Sequence, residues 1–137
     1  MMEIITGIIT GNFDVIHPGY MQMFKEAKQN CDHVIVLLHK DPSMERSSKL
    51  KPVLSLADRV EMLSSIRYID EIIPYSFEKD LENLIKKINP SIRFLGDDYR
   101  DRVDYTGYNV DQKVYYFDRS HGWSTTKYKK MMAESIK

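Results

Sequence analysis

The chain has 137 residues, 42% of them hydrophobic, which suits one folded domain over residues 1–137 and excludes a disordered chain. Twenty Lys and Arg balance 20 Asp and Glu, so there is no global field for nucleic acid, although "KLK" and "KYKK" gather positive charge locally. No apolar run nears the roughly 20 residues of a membrane span. The opening MMEIITGII lacks a secretory leader's basic head, and the lone Cys31 has no internal partner, so a cytoplasmic setting is expected.

In chain order, the apolar run IITGIIT (4–10) turns at Gly11 and leads through NFDVIHPG into a helical pattern. There Tyr20, Phe24, Ala27 and Cys31 recur at three- and four-residue steps. HVIVLLH (33–39) is, like the first run, nearly continuous in apolar residues, which predicts strands buried on both faces of a parallel sheet. The polar loop KDPSMERSSKLKPV (40–53) is too long for an ordinary strand-to-helix turn and is expected to be a mobile flap. Ser55, with Asp58 three residues on, opens a second helix bearing Leu56, Val60, Leu63 and Ile66. A strand at 70–76 follows, then a helix bearing Leu81, Leu84, Ile85 and Ile88, then a strand at 91–96. An irregular segment at 99–109 precedes a strand at 113–118. The last helix, with Tyr128, Met131, Met132 and Ile136, starts after Ser124.

Strand and helix in alternation predict an α/β fold: a Rossmann-like, doubly wound, five-stranded parallel sheet with helices on both faces. Ligands of such sheets sit beyond the carboxyl ends of the strands, near the reversal of strand order. That selects the turn at 11–20, the flap at 40–53 and the turn at 96–99.

The first turn suits phosphate. A helix N-terminus offers unpaired N–H groups and a positive dipole end, Gly11 and Gly19 let backbone approach, and His17 stands where the helix begins. An imidazolium there would donate to a phosphate oxygen as negative charge builds. Local composition fits equally well a Gly-Pro turn with a surface histidine. Lys49 and Lys51 alone fit a solubilising loop, Arg59 and Arg67 a helix surface, and Ser124 an N-cap. His33, His39 and His121 have no metal-ligand spacing with Cys31 and are read as non-catalytic.

GNFDVIHPGY resembles the G-x-F-D-x-x-H-x-G-H signature of the nucleotidylyltransferase superfamily. RSHGWSTTK (119–127) resembles the R-T-x-G-I-S-T-T-K block of its cytidylyltransferase branch, and ADRVEMLSSIRYIDEII (57–73) and FLGDDY (94–99) are similar to two further blocks. The resemblance implies a homodimer that transfers CMP from CTP to a small phosphorylated alcohol, first choice sn-glycerol 3-phosphate, and releases pyrophosphate. It implies Mg²⁺ bound mainly through the triphosphate itself. It assigns His17, Lys51 and Tyr20 to catalysis, and Gly11, Asn12, Phe13, Asp97, Arg119, Ser124, Thr125 and Thr126 to the nucleotide. Arg67, Lys49 and Arg59 go to the acceptor.

Tyr20 departs from the pattern, which has a second His there. A phenol with a pKa near 10 is neutral at pH 7 and donates one hydrogen bond without charge. Losing a charge-assisted contact costs about 1.5–3 kcal/mol, or roughly ten- to a hundred-fold in rate. A slower or retuned enzyme is therefore expected. The alternatives are another nucleotide, such as ATP, another phosphorylated acceptor, or a nucleotide-binding protein with poor turnover.

Overall fold

The computed structural model describes residues 3–110 and 112–137. Five parallel strands, β1 (Thr6–Gly11), β2 (His33–His39), β3 (Glu71–Tyr75), β4 (Ile92–Gly96) and β5 (Lys113–Phe117), form one sheet in the order β3-β2-β1-β4-β5. The α-helices are α1 (Pro18–Asn30), α2 (Leu56–Ser64), α3 (Glu78–Ile88) and α4 (Thr125–Ser135). The chain winds outward from β1 to β3 and α3 then carries it back to β4 on the other side of β1. Strand order thus reverses between β1 and β4, as the doubly wound reading predicts.

Each face of the sheet has its own apolar layer. Ile9, Val34, Val36, Leu38 and Phe94 meet Phe24 and Ala27 of α1 and Leu63 of α2. Ile8, Ile35 and Leu37 meet Leu81 and Ile85 of α3. Alternation along β1 and β2 sends neighbouring residues to opposite layers, which is why both strands need continuous apolar sequence. No helix among the described residues is long and apolar enough to cross a membrane.

Two features differ from expectation by more than a residue at an element's end. The first strand begins at Thr6 rather than residue 4, because its neighbour begins at His33, opposite Thr6, and leaves Ile4 and Ile5 exposed beyond the sheet. Of the periodic residues expected on the last helix, Met131 and Met132 are exposed, as is Ile136 just beyond its end. That helix docks through its first turns instead: Tyr128 packs edge-on against His17 and Trp123, and Lys129 pairs with Asp14.

Candidate active site

The turn after β1 is held in an uncommon conformation. Phe13 adopts φ 45°, a left-handed value a bulky residue rarely takes, and is buried against Tyr20 and Phe24 with ring centroids 5.3 and 5.5 Å away. Aromatic packing thus offsets backbone strain and aims the following residues at the start of α1. His17 is the N-cap of that helix. Its Nδ1 accepts the Gly19 N–H at 3.1 Å, so in the neutral ring the proton sits on Nε2. His17 is buried, and burial pushes its pKa below the ordinary value. Positive charge at His121 and Arg119 pushes it further the same way. The free protein at neutral pH therefore presents an uncharged Nε2–H donor, not the imidazolium expected from the sequence.

A second imidazole comes from the β5–α4 loop. His121 Nδ1 accepts the Trp123 N–H at 2.9 Å, the same two-residue arrangement as at His17. Both rings crowd Gly19: a Cβ there would lie 2.9 Å from His17 Cε1 and 2.8 Å from His121 Cε1. Only glycine permits this approach. Tyr20 stacks on His17 with centroids 4.2 Å apart, and its hydroxyl shares a 2.9 Å hydrogen bond with Thr125 Oγ1 at the start of α4.

Two buried charges fix the surrounding loops. The Asp14 carboxylate accepts from the N–H groups of Val53 and Leu54, each at 2.8 Å, and from Lys129 Nζ at 3.2 Å, joining the first turn, the end of the flap and α4. Burial pushes its pKa up, but these three bonds outweigh it and hold the carboxyl below its ordinary range. Arg59 is 2% exposed and donates to the carbonyls of Asn12, His39, Lys40 and Leu54. Its guanidinium is spent on the backbone, so the expected acceptor contact is corrected to a structural one.

Two clefts open at the carboxyl edge of the sheet. The first, about 470 Å³, is lined by His17, Gly19, Gly96, Arg119, Ser120 and His121, with Lys25 on α1. The second, about 460 Å³, is lined by Thr10, Gly11, Asn12, Arg46, Lys49 and Arg93, with Tyr75, Tyr99 and Tyr105. Tyr20, Met23 and Gly96 line both. Tyr20 therefore stands at the wall between two chambers, which suits a reaction joining two substrates.

The predicted residues divide accordingly. His17, Tyr20 and Arg119 meet at the first cleft; Gly11, Asn12 and Lys49 line the second. Asp97 accepts the Arg119 N–H at 3.3 Å and so fixes the loop beyond β4 and β5. Ser124 caps α4 by accepting the Lys127 N–H, Thr125 holds Tyr20, and Thr126 is exposed. Lys51 is exposed on the flap, where its charge helps lower the Asp41 pKa after the larger effect of the Ser43 hydroxyl. It lines neither cleft. Arg67 is a further correction. It precedes β3 at the amino edge of the sheet, opposite the clefts, with its Nη2 donating to Tyr68 Oη at 3.0 Å. The sequence reasoning missed Asp14, Lys129 and Arg93; His121, read as non-catalytic but expected to line the site from its place in the last block, does line the first cleft. The signal for Arg93 was present: a charge inside the apolar run SIRFLG must be buried with the strand.

A doubly wound sheet with a helix N-terminus at its reversal point and two adjoining clefts defines a Rossmann-like scaffold suited to phosphorylated ligands. Residues 8–131 match the family model described as cytidylyltransferase-like, and the chain belongs to that family. Glycerol-3-phosphate cytidylyltransferase from Bacillus subtilis (strain 168) is 33% identical over 135 residues, covering 97% of this chain and 98% of its own. The bifunctional protein HldE of Gluconacetobacter diazotrophicus is 35% identical over 127 residues, 88% of this chain, which spans 26% of that protein's length. Among solved structures, a lipopolysaccharide core biosynthesis protein from Thermoplasma volcanium GSS1 shares the fold with TM-score 0.66 at 23% identity, covering 82% of this chain and 94% of its own.

Proposed function

We propose that the protein transfers CMP from CTP to a small phosphorylated alcohol, with sn-glycerol 3-phosphate the first choice, and releases pyrophosphate. The observation that carries this is the pair of clefts meeting at Tyr20, one walled by imidazoles and Arg119, the other by Arg46, Lys49 and Arg93. The near full-length likeness to a glycerol-3-phosphate cytidylyltransferase supports the choice of nucleotide and acceptor.

An oxygen of the acceptor's phosphate attacks the α-phosphorus of CTP. The bond from that phosphorus to the bridging oxygen breaks, and its electron pair leaves with pyrophosphate. The attacking oxygen is already anionic, so no general base is required, and the protein's task is to position and to stabilise charge. The Nε2–H of His17 and of His121 donates to the triphosphate from either side of Gly19. Arg119 supplies the formal charge that Tyr20 does not. The Tyr20 hydroxyl, released from Thr125, donates to an oxygen of the phosphorus under attack. Lys51 reaches the triphosphate only if the flap carries it inward, and it acts there as a mobile cation.

Mg²⁺ belongs to the same proposal. Among the described residues no cluster of three or more His, Cys, Asp or Glu is arranged to hold a metal ion. As the family resemblance implies, the ion would be carried mainly by triphosphate oxygens, where it would neutralise leaving-group charge. A homodimer is proposed on the family resemblance, and a reducing, cytoplasmic setting on the lone Cys31; sedimentation equilibrium tests the dimer.

The deciding experiment supplies the protein with Mg²⁺, each nucleoside triphosphate in turn and a panel of phosphorylated alcohols, and measures pyrophosphate. Release with CTP and one acceptor is the expected result. Release with ATP alone replaces cytidylyl by adenylyl transfer. Nucleotide binding without release under any pairing ends the enzymatic reading.

A further inference from the structure

The second cleft contains a buried arginine that the scaffold does not explain. Arg93 lies on β4 in register with Ile8 of β1, 3% exposed, and its side chain rises toward the carboxyl edge until Nη2 reaches Thr10 Oγ1 at 3.4 Å. Nη1 donates to the Thr106 carbonyl, while Nε is buried with no partner. Two groups thus accept from a guanidinium with five N–H donors. No carboxylate pairs with it among the described residues. The cleft's Arg46 pairs with Glu78 and its Arg102 with Asp104; Glu78 also attracts Arg93 through space, but among the described residues neither Arg93 nor Lys49 has a carboxylate within ion-pair distance.

A buried cation without a counter-ion is costly, and natural interiors retain one mainly where something supplies the missing charge. The surroundings look built to hold it. Gly107, at φ 88°, brings the 99–110 segment so close that a Cβ there would meet Arg93 Nη1 at 2.5 Å. The Tyr105 ring lies under the guanidinium, 5.4 Å from its carbon to the centroid. The irregular segment after β4 thereby forms the outer wall of the cleft around Arg93.

We propose that Arg93, assisted by Thr10 and Lys49, binds the phosphate of the acceptor, so that the second cleft is a phosphate-monoester site. The ester's carbon body lies among Tyr75, Tyr99 and Tyr105. This deepens the transfer function proposed above by assigning the acceptor a chamber and a cation. Phosphate oxygens held there face Tyr20 and Gly96, the wall shared with the nucleotide cleft, and are therefore positioned to attack.

The test compares wild type with Arg93→Met, Arg93→Lys and Lys49→Gln. Isothermal titration with sn-glycerol 3-phosphate and with inorganic phosphate is run beside steady-state pyrophosphate release. For Arg93→Met, acceptor KM and Kd are expected to rise roughly ten- to a hundred-fold, with CTP KM within about twofold of wild type. Arg93→Lys should recover part of the loss, since the charge remains without the fork. Lys49→Gln, on an exposed loop, should raise acceptor KM several-fold (on the order of a single surface-exposed charge contact) with no change in melting temperature. Equal rises in the KM of both substrates, or unchanged acceptor binding in folded Arg93→Met and in Lys49→Gln, would overturn the assignment. If wild type binds the monoester through Arg93 yet releases no pyrophosphate, the site stands and the transfer reading fails.

Discussion

Replacing Arg59 separates a structural role from a substrate-binding one. Its four hydrogen bonds, from 2.6 to 3.3 Å, reach Asn12 in the first turn, His39 and Lys40 at the end of β2, and Leu54 at the start of α2. Arg59→Met keeps most of the stem and removes every donor, leaving carbonyls of three segments without their cationic partner. Charge-assisted bonds each contribute about 1.5–3 kcal/mol, but some freed carbonyls regain water and removal relieves the burial of a charge, so the net loss is on the order of 3–5 kcal/mol. For a chain of this size that lowers the melting temperature by roughly 10–15 °C. Arg59→Lys should recover less than half, because an ammonium point charge cannot span four carbonyls. Circular dichroism melts and urea titrations measure both variants. If Arg59→Met melts within about 3 °C of wild type while acceptor KM rises, the guanidinium is a substrate ligand and the structural assignment is wrong.

Other outcomes follow from the same geometry. Tyr20→His, which returns a chargeable donor to the wall between the clefts, is expected to raise pyrophosphate release by roughly tenfold; an unchanged rate removes Tyr20 from the reacting centre. Gly19→Ala forces a methyl group against both imidazoles, and should weaken CTP binding by at least about tenfold while leaving the sheet folded, read by titration and far-ultraviolet dichroism. Because His17 in the free protein titrates below its ordinary value of 6.5, a bound triphosphate that favours the imidazolium takes up a proton, so affinity should strengthen as pH falls below about 7. His17→Asn, whose amide oxygen still caps α1 but does not titrate, should lose that part of the slope; identical pH profiles would refute it. Asp14 has a folded pKa below its unfolded value, so it stabilises above about pH 4 and its contribution is lost as pH falls further. Asp14→Asn should destabilise the protein at pH 7 and show a flatter acid limb than wild type in urea titrations.

Much of the fold was legible locally. TGIIT, within the first apolar run, and HVIVLLH are strands because β-branched and aliphatic runs suit the centre of a parallel sheet, and the two-faced burial of β1 and β2 is what makes them continuous. Helix starts at Ser55 and Ser124 were equally plain, since each hydroxyl accepts the N–H three residues on. Of the candidate site, the sequence marked the first turn and the last block, which the structure brings together at Gly19 and Tyr20.

Tertiary structure alone decided how those pieces are used. Arg59 and Arg67 sit eight residues apart in one block, yet one is buried among backbone carbonyls at the carboxyl edge and the other is exposed at the opposite edge. Sequence separation does not tell which end of a strand a side chain reaches. His121 joins His17 only because α4 folds back on α1, and Arg93 meets Thr10 only because β4 lies beside β1 across 83 residues. Local sequence fixes periodicity and capping, which depend on neighbours a few residues away. Clefts, buried charge and the pairing of cations with carboxylates depend on contacts between distant segments, and those exist only once the sheet has closed its order.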